Sequence, residues 1–472
     1  MTGQDDAMAL AEAIASSHVS AIEAMEAAIA AAQTHSGFGA VDVLVPELGL
    51  CVAEVMEQER LDRPARFVTR PFAGVPTLAK NLGSPFAGIP ASAGSNALRG
   101  IADGTADSEF ARRFRKMGLI PFGSTLVPEF GLSLASEPIG LPPARNPLDP
   151  ERTPGGSSGG AAAAVAAGIV AIAHATDAGG SIRVPAACCG LIGLKPTRGL
   201  MPGGPDFGNH LGGLASEFAV CRSVRDARRA FDHLAGHAKG PTPEPVLDPD
   251  IQSRLTIGLI GDLGPFALDP ARERAVREAA ALLEGAGHRI ADIPFARLQT
   301  LVASGMRGFD RIICASMAAA FANGELDEDK LEPLTRAVLE RGRALPAAEL
   351  WSAEQEAVLA AHAMWRLFGE VDLLLTPMLS AAPPKLGAFP TDHDAVEAHW
   401  GRMTAFAPLA SLANMTGVPA LALPFGEDAD GLPLPVQIMG PMGADRRLLT
   451  LAETLERLRP WAHRFPVAGL PA

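Results

Sequence analysis

The sequence lacks the features that mark secreted, metal-binding and membrane proteins. Its 472 residues include five cysteines, whose odd number and lack of metal-ligand spacing predict neither a disulfide framework nor a zinc site. The N-terminus carries acidic residues where a secretory signal needs basic ones. No stretch approaches the roughly 20 uninterrupted apolar residues needed to cross a bilayer. We therefore expect a soluble cytoplasmic protein with no bound metal and no membrane contact.

Clusters of basic residues are also missing. The net charge of −13 is spread along the chain without long acidic blocks. A nucleic-acid-binding face would need grouped lysines and arginines, so nucleic acid is not an expected partner. The glycines at 285 and 287 punctuate a helix end and do not form a nucleotide fingerprint, and no cofactor is predicted. Apolar residues make up 48% of the chain and are evenly spread, which favours one domain over residues 1–472.

The most informative stretch is 153–197, where two glycine-flanked serine sites are joined by a nearly uncharged, alanine-rich segment. Residues 155–160 read GGSSGG, and glycine lets a backbone turn sharply and approach a ligand. The alanines that follow favour a helix, so Ser157 and Ser158 should lie in a tight loop at a helix N-terminus. Residues 177–181 read DAGGS and could direct several backbone N–H groups at one oxyanion beside a serine.

A nucleophilic serine needs a base, and two candidates stand out. His174 lies in an apolar run, which favours a place in the core or behind the site over a catalytic role. Lys80 is an isolated cation in an apolar segment, and burial can keep a lysine amine neutral so that it accepts a proton. Serine–lysine pairs are a recognised variant of the catalytic triad. The residues therefore favour Lys80 as the base.

Four motifs in this order resemble the amidase signature family along nearly the whole chain. They span residues 74–80, 154–160, 177–185 and 193–197. The resemblance implies a Ser-cisSer-Lys triad, which maps to Ser181 as nucleophile, Ser157 in a cis peptide, and Lys80 as base. It also implies an α/β fold in which a large mixed sheet is flanked by helices on both faces. Hydrolysis of an amide C–N bond through an acyl-enzyme is the implied reaction.

Further residues take roles around this triad. We expect the backbone N–H groups of Ala178, Gly179, Gly180 and Ser181 to form the oxyanion hole. Ser158 should hydrogen-bond the amine of Lys80 and direct its lone pair toward Ser157. Asp177 and Arg183 flank the nucleophile loop and are predicted to brace it, by pairing with each other or with neighbouring backbone.

Helix and strand patterns divide the chain into three parts. Core motifs occupy residues 70–230, a peripheral lobe on the substrate side is expected over about 241–370, and residues 371–460 complete the sheet. The proline-rich segment 241–249 is the best candidate for a linker. Within the lobe, residues 255–260, 270–286 and 289–293 read as a βαβ unit, and a long helical stretch over 333–368 should break near Pro346.

The substrate is harder to predict. Residues 265–270 and 313–315 and the 178–181 loop resemble the branch of the family that contains 6-aminohexanoate-cyclic-dimer hydrolase and the aryl acylamidases. Leu126, Leu211, Leu214 and Phe218 would line the cleft with apolar side chains, and Cys314 is either a cleft residue or a small buried one. We expect a neutral secondary amide, such as an anilide, an oligomeric or cyclic ω-amino acid amide, or a carbamate, with a possible urethanase or esterase side activity.

Two alternatives from other classes stay open at this point. A glutamine-dependent amidotransferase subunit shares the motifs, but it would need partner chains, an ammonia source and a nucleic-acid face. A catalytically silent binding relative would not need the intact Lys80, Ser157 and Ser181. Otherwise the expected partner is the small-molecule substrate alone, with the chain a monomer or a homodimer.

Overall fold

Two β-sheets with helices packed around them make up the structure, a computed structural model. It describes residues 5–100, 106–203, 210–238, 244–249, 254–322 and 327–471. The predicted linker at 241–249 therefore lies partly outside the described residues.

The strands fall into a small sheet and a large one. In chain order they are β1 Val41–Leu44, β2 Pro76–Lys80, β3 Ile120–Thr125, β4 Ile172–Asp177, β5 Ile192–Lys195, β6 Ser216–Cys221, β7 Thr256–Leu259, β8 Arg289–Asp292, β9 Leu373–Pro377, β10 Ala420–Glu427 and β11 Pro433–Met439. The small sheet has the order β1-β3-β2, and the large one has the order β4-β6-β5-β10-β11-β9-β7-β8. The large sheet is mixed. Neighbouring strands along the order β4-β6-β5-β10-β11-β9 are antiparallel, whereas β7 pairs in parallel with both β9 and β8.

The helices of the described chain surround these sheets. They are α1 Ala7–Ala15, α2 Ala21–Thr34, α3 Pro46–Asp62, α4 Pro64–Phe67, α5 Glu109–Lys116, α6 Gly159–Ala166, α7 Arg183–Cys189, α8 His210–Gly213, α9 Val224–Leu234, α10 Pro270–Gly285, α11 Ala296–Ala320, α12 Pro333–Ala344, α13 Ala347–Leu367, α14 Val396–Phe406, α15 Ala410–Thr416 and α16 Asp445–Leu458. Helices α6 and α7 contact each other and the large sheet, and α9, α10 and α16 form a second group on its strands. The predicted α/β class with a large mixed sheet is confirmed.

The alanine-rich helix α6 lies between the two sheets. It contacts β1, β2 and β3 of the small sheet and β4 and β6 of the large one. Each of its residues is buried, which suits a helix that is apolar all round. Because glycine and alanine have the smallest side chains, both sheets can approach the helix axis closely. The glycine-rich loop that precedes α6 is therefore held between the strand of Lys80 and the strand that leads to Ser181.

Local sequence signals set several helix boundaries as predicted. Ser20 caps α2 in a capping box with Glu23, each side chain bonding the backbone of the other residue. Pro346 separates α12 from α13, which confirms the predicted break. The βαβ unit is present as β7, α10 and β8. Its strands extend the same large sheet that holds β4 and β5.

Candidate active site

A cavity of about 210 Å³ opens beside the two glycine-rich loops. Its floor is polar and consists of Ser157, Thr176, Ala178, Gly179 and Ser181. The remaining walls are mainly apolar and come from distant parts of the chain; they include Leu82, Phe130, Leu132, Leu134, Leu211, Ala215, Met306, Phe309, Ile313, Met317, Trp400, Met403 and Ala407. None of the lining residues, all of which lie in the described ranges, carries a charged side chain.

Lys80 ends strand β2 and reaches the cavity floor from below. Its amine Nζ lies 2.9 Å from Ser157 Oγ. The lysine is 2% exposed and Ser157 is equally buried, whereas Ser181 is 8% exposed and lines the same cavity. The structure thus brings the three residues that the motifs selected to one place: the amine contacts Ser157, and Ser157 and Ser181 both line the cavity.

Burial makes the amine of Lys80 a plausible proton acceptor. Desolvation disfavours the ammonium form and lowers the pKa of Lys80 to about 7, although the negative charges of Asp177 and Glu217 act in the opposite direction. An ordinary lysine, with a pKa near 10.4, would be almost wholly protonated at neutral pH. A substantial fraction of Lys80 is therefore neutral near pH 7.

The contacts of Lys80 match the donors and acceptors of a neutral amine. Nζ lies 2.7 Å from Thr176 Oγ1 and 3.3 Å from the Thr176 carbonyl oxygen. A neutral amine has two hydrogens, which these two oxygens can accept, and one lone pair. That lone pair is then left for the hydroxyl hydrogen of Ser157. Thr176 thus directs the amine toward Ser157.

This arrangement corrects the role expected for Ser158. Its hydroxyl donates to the Thr176 carbonyl oxygen at 3.2 Å, and the Thr176 N–H lies 3.4 Å from the same hydroxyl. Ser158 does not bond Lys80, because the adjacent strand β4 places Thr176 between them. Ser158 therefore holds the residue that contacts the amine.

The loop of Ser157 is fixed by close backbone contacts. The Gly156–Ser157 peptide is cis. A Cβ at Gly156 would lie 2.6 Å from the backbone nitrogen of Ala135, so only glycine fits there. Ser136 donates its hydroxyl to the Ser157 carbonyl oxygen at 3.1 Å and accepts the N–H of Gly159 at the same distance. These contacts give the Ser157 hydroxyl a defined position.

The nucleophile loop differs from expectation at Gly180. Its N–H donates to Asp177 Oδ1 at 2.7 Å, so it is not free for an oxyanion. Gly180 itself has φ of +121°, a conformation that favours glycine, and a Cβ there would lie 2.8 Å from Ala410 Cβ. In the described structure, the N–H groups of Ala178, Gly179 and Ser181 have no intramolecular acceptor. These three remain candidates for the oxyanion hole.

Asp177 and Arg183 form a fully buried ion pair under this loop. Arg183 Nε lies 3.0 Å from Asp177 Oδ2, and Nη2 lies 3.0 Å from Oδ1. The carboxylate also accepts the Ile182 N–H at 3.1 Å and the Asn414 amide at 2.9 Å. Burial by itself would raise the pKa of Asp177, but Arg183 and Asn414 together hold it well below its usual range. The charged pair therefore fixes the loop on either side of Ser181.

Behind Lys80 lies a second buried polar group. The Lys80 backbone N–H donates to His174 Nδ1 at 3.1 Å, which leaves the hydrogen of His174 on Nε2, 3.2 Å from Glu217 Oε1. Phe86 and Phe110 pack against the imidazole with ring centroids at 5.1 Å. His174 thus supports the lysine strand and has no contact with Ser157 or Ser181.

Three residues predicted to bind substrate do not line the cavity. Leu126 lies beyond β3, where its carbonyl oxygen accepts the Gly160 N–H and its side chain is buried. Phe218 stands in β6 opposite Ala175 and is completely buried. Cys314 is buried too, with its sulfur 3.7 Å from Asp310 Oδ1. In each case the side chain packs into the protein interior instead of the cleft. Of the two neighbouring leucines, Leu211 lines the cavity and Leu214 does not.

The sequence analysis did not identify Thr176, or the aromatic residues Phe309 and Trp400 of the cavity wall. Thr176 could have been found, because strand alternation puts it on the same face of β4 as His174, and both contact Lys80. Phe309 and Trp400 carry no local signal, since an apolar residue on an amphipathic helix looks the same facing a cavity or a core.

The described residues form neither a metal-binding cluster nor a membrane-spanning helix. They contain no group of three or more His, Cys, Asp or Glu side chains placed to hold a metal ion. Among the helices within those ranges, none combines the length and apolar character needed to cross a membrane.

A lysine amine lies 2.9 Å from the hydroxyl of one buried serine, and a second serine lines the same apolar cavity. The amidase family profile matches residues 23–449. The 6-aminohexanoate-cyclic-dimer hydrolase of Paenarthrobacter ureafaciens is 33% identical over 98% of this chain and 96% of its own. The chain belongs to the amidase signature family.

Solved structures agree with this assignment. The 6-aminohexanoate cyclic dimer hydrolase complexed with substrate superposes with a TM-score of 0.88, at 30% identity and 98% coverage of both chains. A bacterial aryl acylamidase of the amidase signature family has the same fold, with a TM-score of 0.81 at 23% identity over 97% of this chain and 96% of its own.

Proposed function

We propose that the protein hydrolyses neutral secondary amides through an acyl-enzyme on Ser181, with Ser157 and Lys80 as the proton-transfer pair. The observation that carries this proposal is the 2.9 Å approach of Lys80 Nζ to Ser157 Oγ beneath a cavity that also exposes Ser181. The lowered pKa of Lys80, about 7, supports the role of base.

In the first half of the reaction, Ser181 Oγ attacks the amide carbonyl carbon and forms a tetrahedral intermediate. Its proton passes to Ser157, whose own proton passes to the neutral amine of Lys80. The carbonyl oxygen becomes an oxyanion within reach of the free N–H groups on the nucleophile loop. When the intermediate collapses, the C–N bond breaks and the proton returns through Ser157 to the leaving amine.

In the second half, water replaces the amine. Its oxygen attacks the ester carbon of acyl-Ser181 while its proton follows the same path to Lys80. Collapse then releases the carboxylic acid and restores the Ser181 hydroxyl with the returned proton. No redox step or additional co-reactant is needed for either half.

The cavity supports a neutral substrate. A carboxylate or ammonium group placed there would lose its water without gaining a charged partner, because the lining residues are uncharged. Anilides, cyclic ω-amino acid amides and carbamates satisfy this condition, whereas free glutamine and a linear ω-amino acid oligomer each carry an ammonium and a carboxylate group. The relative that is 33% identical, a 6-aminohexanoate-cyclic-dimer hydrolase, supports the same substrate class.

Labelling with a fluorophosphonate, followed by peptide mass spectrometry, tests the nucleophile. We expect the adduct on Ser181, because an activated serine beside free N–H donors reacts fastest with such electrophiles. Ser181→Ala should abolish labelling, and Ser304→Ala is a matched control on α11 outside the cavity lining. An adduct on Ser157 or Ser158, or inactivation with no serine adduct, would overturn the assignment.

A substrate panel tests the reaction class. The purified chain, without partners, should release aniline from a neutral anilide faster than ammonia from glutamine or asparagine. Carbamates and esters in the same panel would measure any side activity. Hydrolysis only in the presence of another protein would point to an amidotransferase subunit instead.

A further inference from the structure

A second cavity lies directly behind one wall of the active site. It measures about 470 Å³, against about 210 Å³ for the first. Met306 of α11 and Trp400 and Thr404 of α14 line both spaces. These side chains therefore form a partition with the catalytic cavity on one side and the second cavity on the other.

Trp400 is the central part of this partition and is held rigidly. Its indole N–H donates to Asp310 Oδ1 at 2.9 Å, and Asp310 is paired in turn with Arg341 at 2.8 Å. Phe309 meets the indole edge to face, with ring centroids 5.7 Å apart. Thr404 donates its hydroxyl to the Trp400 carbonyl oxygen at 2.8 Å. The indole is 5% exposed, so its position depends on these contacts.

The second cavity has the surface of a site for apolar groups. Phe266, Val302 and Met306 supply its apolar lining together with the indole of Trp400. Two arginines line it and both are paired: Arg341 with Asp310 and, at 3.3 Å, with Glu397, and Arg307 with Glu356 at 3.8 Å. A charged ligand group would have to compete with these carboxylates, whereas an alkyl or aryl group need only displace water.

The volume of the catalytic cavity limits the length of substrate that it can hold. Binding cavities for small molecules commonly measure about 300–1,000 Å³, so the catalytic cavity is small for anything beyond a compact acyl or aryl group. We propose that the second cavity is a binding site for the distal alkyl or aryl part of longer neutral amides, and that Trp400, positioned by Asp310, limits access to it. This proposal rests on the proposed amidase function and identifies Trp400 as the residue that limits substrate length.

A series of p-nitroanilides with straight acyl chains from about two to about ten carbons tests the partition. In wild type, kcat/KM should fall once the chain outgrows the catalytic cavity. Trp400→Ala joins the two spaces, so we expect the ratio of long-chain to short-chain kcat/KM to rise about tenfold or more, as apolar pocket changes commonly give. Trp400→Phe keeps a ring in place and should stay near the wild-type ratio.

Two further variants keep the test decisive. Met306→Ala opens the same partition from α11 and should raise the ratio in the same direction, even where Trp400→Ala folds poorly. Trp365→Ala is the matched control, because that indole is 67% exposed on α13 and should leave the ratio unchanged. Thermal melting reports whether each variant is folded.

The outcomes separate the two proposals. If folded wild-type protein hydrolyses no anilide of any length, the proposed function fails. If it hydrolyses the short anilides, and neither Trp400→Ala nor Met306→Ala changes the chain-length ratio by more than about twofold against a typical effect of tenfold, the second site is refuted.

Discussion

The floor and the far wall of the active-site cavity are stabilised by different interactions. Beneath the floor, Asp177 and Arg183 are completely buried and bonded to the backbone and side chains of several elements. At the wall, α11 and α14 present mainly apolar side chains, and the hydrogen bond from Trp400 to Asp310 fixes the indole. Buried charges tolerate little change, whereas apolar walls can be repacked.

This difference separates two properties of the enzyme. Substitutions at the floor should change the rate of the chemical step or the stability of the fold. Substitutions at the wall should change which amides are accepted while the proton-transfer pair stays in place. Substitutions at each place can test whether catalytic rate and substrate selectivity separate in this way.

Lys80→Ala should lower kcat by about 10² or more, with a smaller change in KM. In the proposed mechanism Lys80 is a proton acceptor that acts mainly in the transition state, and positioned acid–base groups contribute on the order of 10²–10⁴. Steady-state kinetics with a short-chain anilide measure the effect. Lys116→Ala is the control, because Lys116 is exposed at the end of α5. A Lys80→Ala enzyme that kept more than about a tenth of wild-type kcat would contradict the mechanism.

Asp177→Asn should destabilise the fold by about 3–5 kcal/mol, because it leaves the Arg183 charge buried without a counter-ion. Urea unfolding measures the change in the free energy of unfolding. Asp232→Asn provides the comparison, since it breaks an ion pair with Arg446 in which both side chains are over a third exposed. That surface change should cost about 0–1 kcal/mol. Equal losses in the two variants would remove the distinction between the buried ion pair beneath the floor and an ordinary surface pair.

The pH dependence of kcat/KM should show the titration of Lys80. Burial lowers the pKa of Lys80 to about 7, and only the neutral amine can accept a proton, so activity should fall as pH drops below that value. A neutral anilide, which does not titrate from about pH 5 to about pH 9, isolates the enzyme's contribution.

Removal of a neighbouring negative charge should shift the acidic limb of this pH profile in a defined direction. Glu217 favours the ammonium form of Lys80, so Glu217→Gln should move the acidic limb to lower pH. Glu397→Gln, at a side chain that is 81% exposed, should leave the limb in place. A limb that stays fixed or moves upward in Glu217→Gln would show that another group controls it.

The sequence predicts the floor well because its residues are close together along the chain or belong to short motifs. Ser157 and Ser181 flank one helix and one strand, and Lys80 ends a buried strand beside them. The motifs do not show in which direction each backbone N–H group or side chain of the site points. The N–H of Gly180 donates to Asp177, and Thr176 takes the place expected for Ser158 because of how β4 packs.

The wall could not be predicted in the same way. Its residues come mainly from α11 and α14, with others from α8 and from the segments after β2 and β3, and are joined only by the tertiary fold. Leu126 and Phe218 are as apolar as Phe309 and Trp400, yet the first two pack in the interior. Hydrophobic periodicity identifies the buried face of an element without distinguishing a cavity from a core.

The smallest effect on substrate selectivity is expected for Cys314, which lies behind the cavity wall. Its thiol is buried, and burial raises its pKa to about 12, so it stays protonated. Because the sulfur contacts Asp310 weakly at 3.7 Å and does not reach the cavity, Cys314→Ala should cost about 1 kcal/mol of stability. The chain-length ratio of kcat/KM should remain within about twofold of wild type, against the tenfold typical of pocket residues.

The neighbouring residue provides the matched comparison for Cys314. Ile313 lines the cavity, so Ile313→Ala enlarges it and should change the same ratio about tenfold. Kinetics of both variants on one anilide series measure the difference between a side chain in the cavity and one directly behind it. A change in Cys314→Ala as large as that in Ile313→Ala would mean that the thiol acts through Asp310 on the position of Trp400. Selectivity would then depend on the polar support of the wall as much as on its apolar surface.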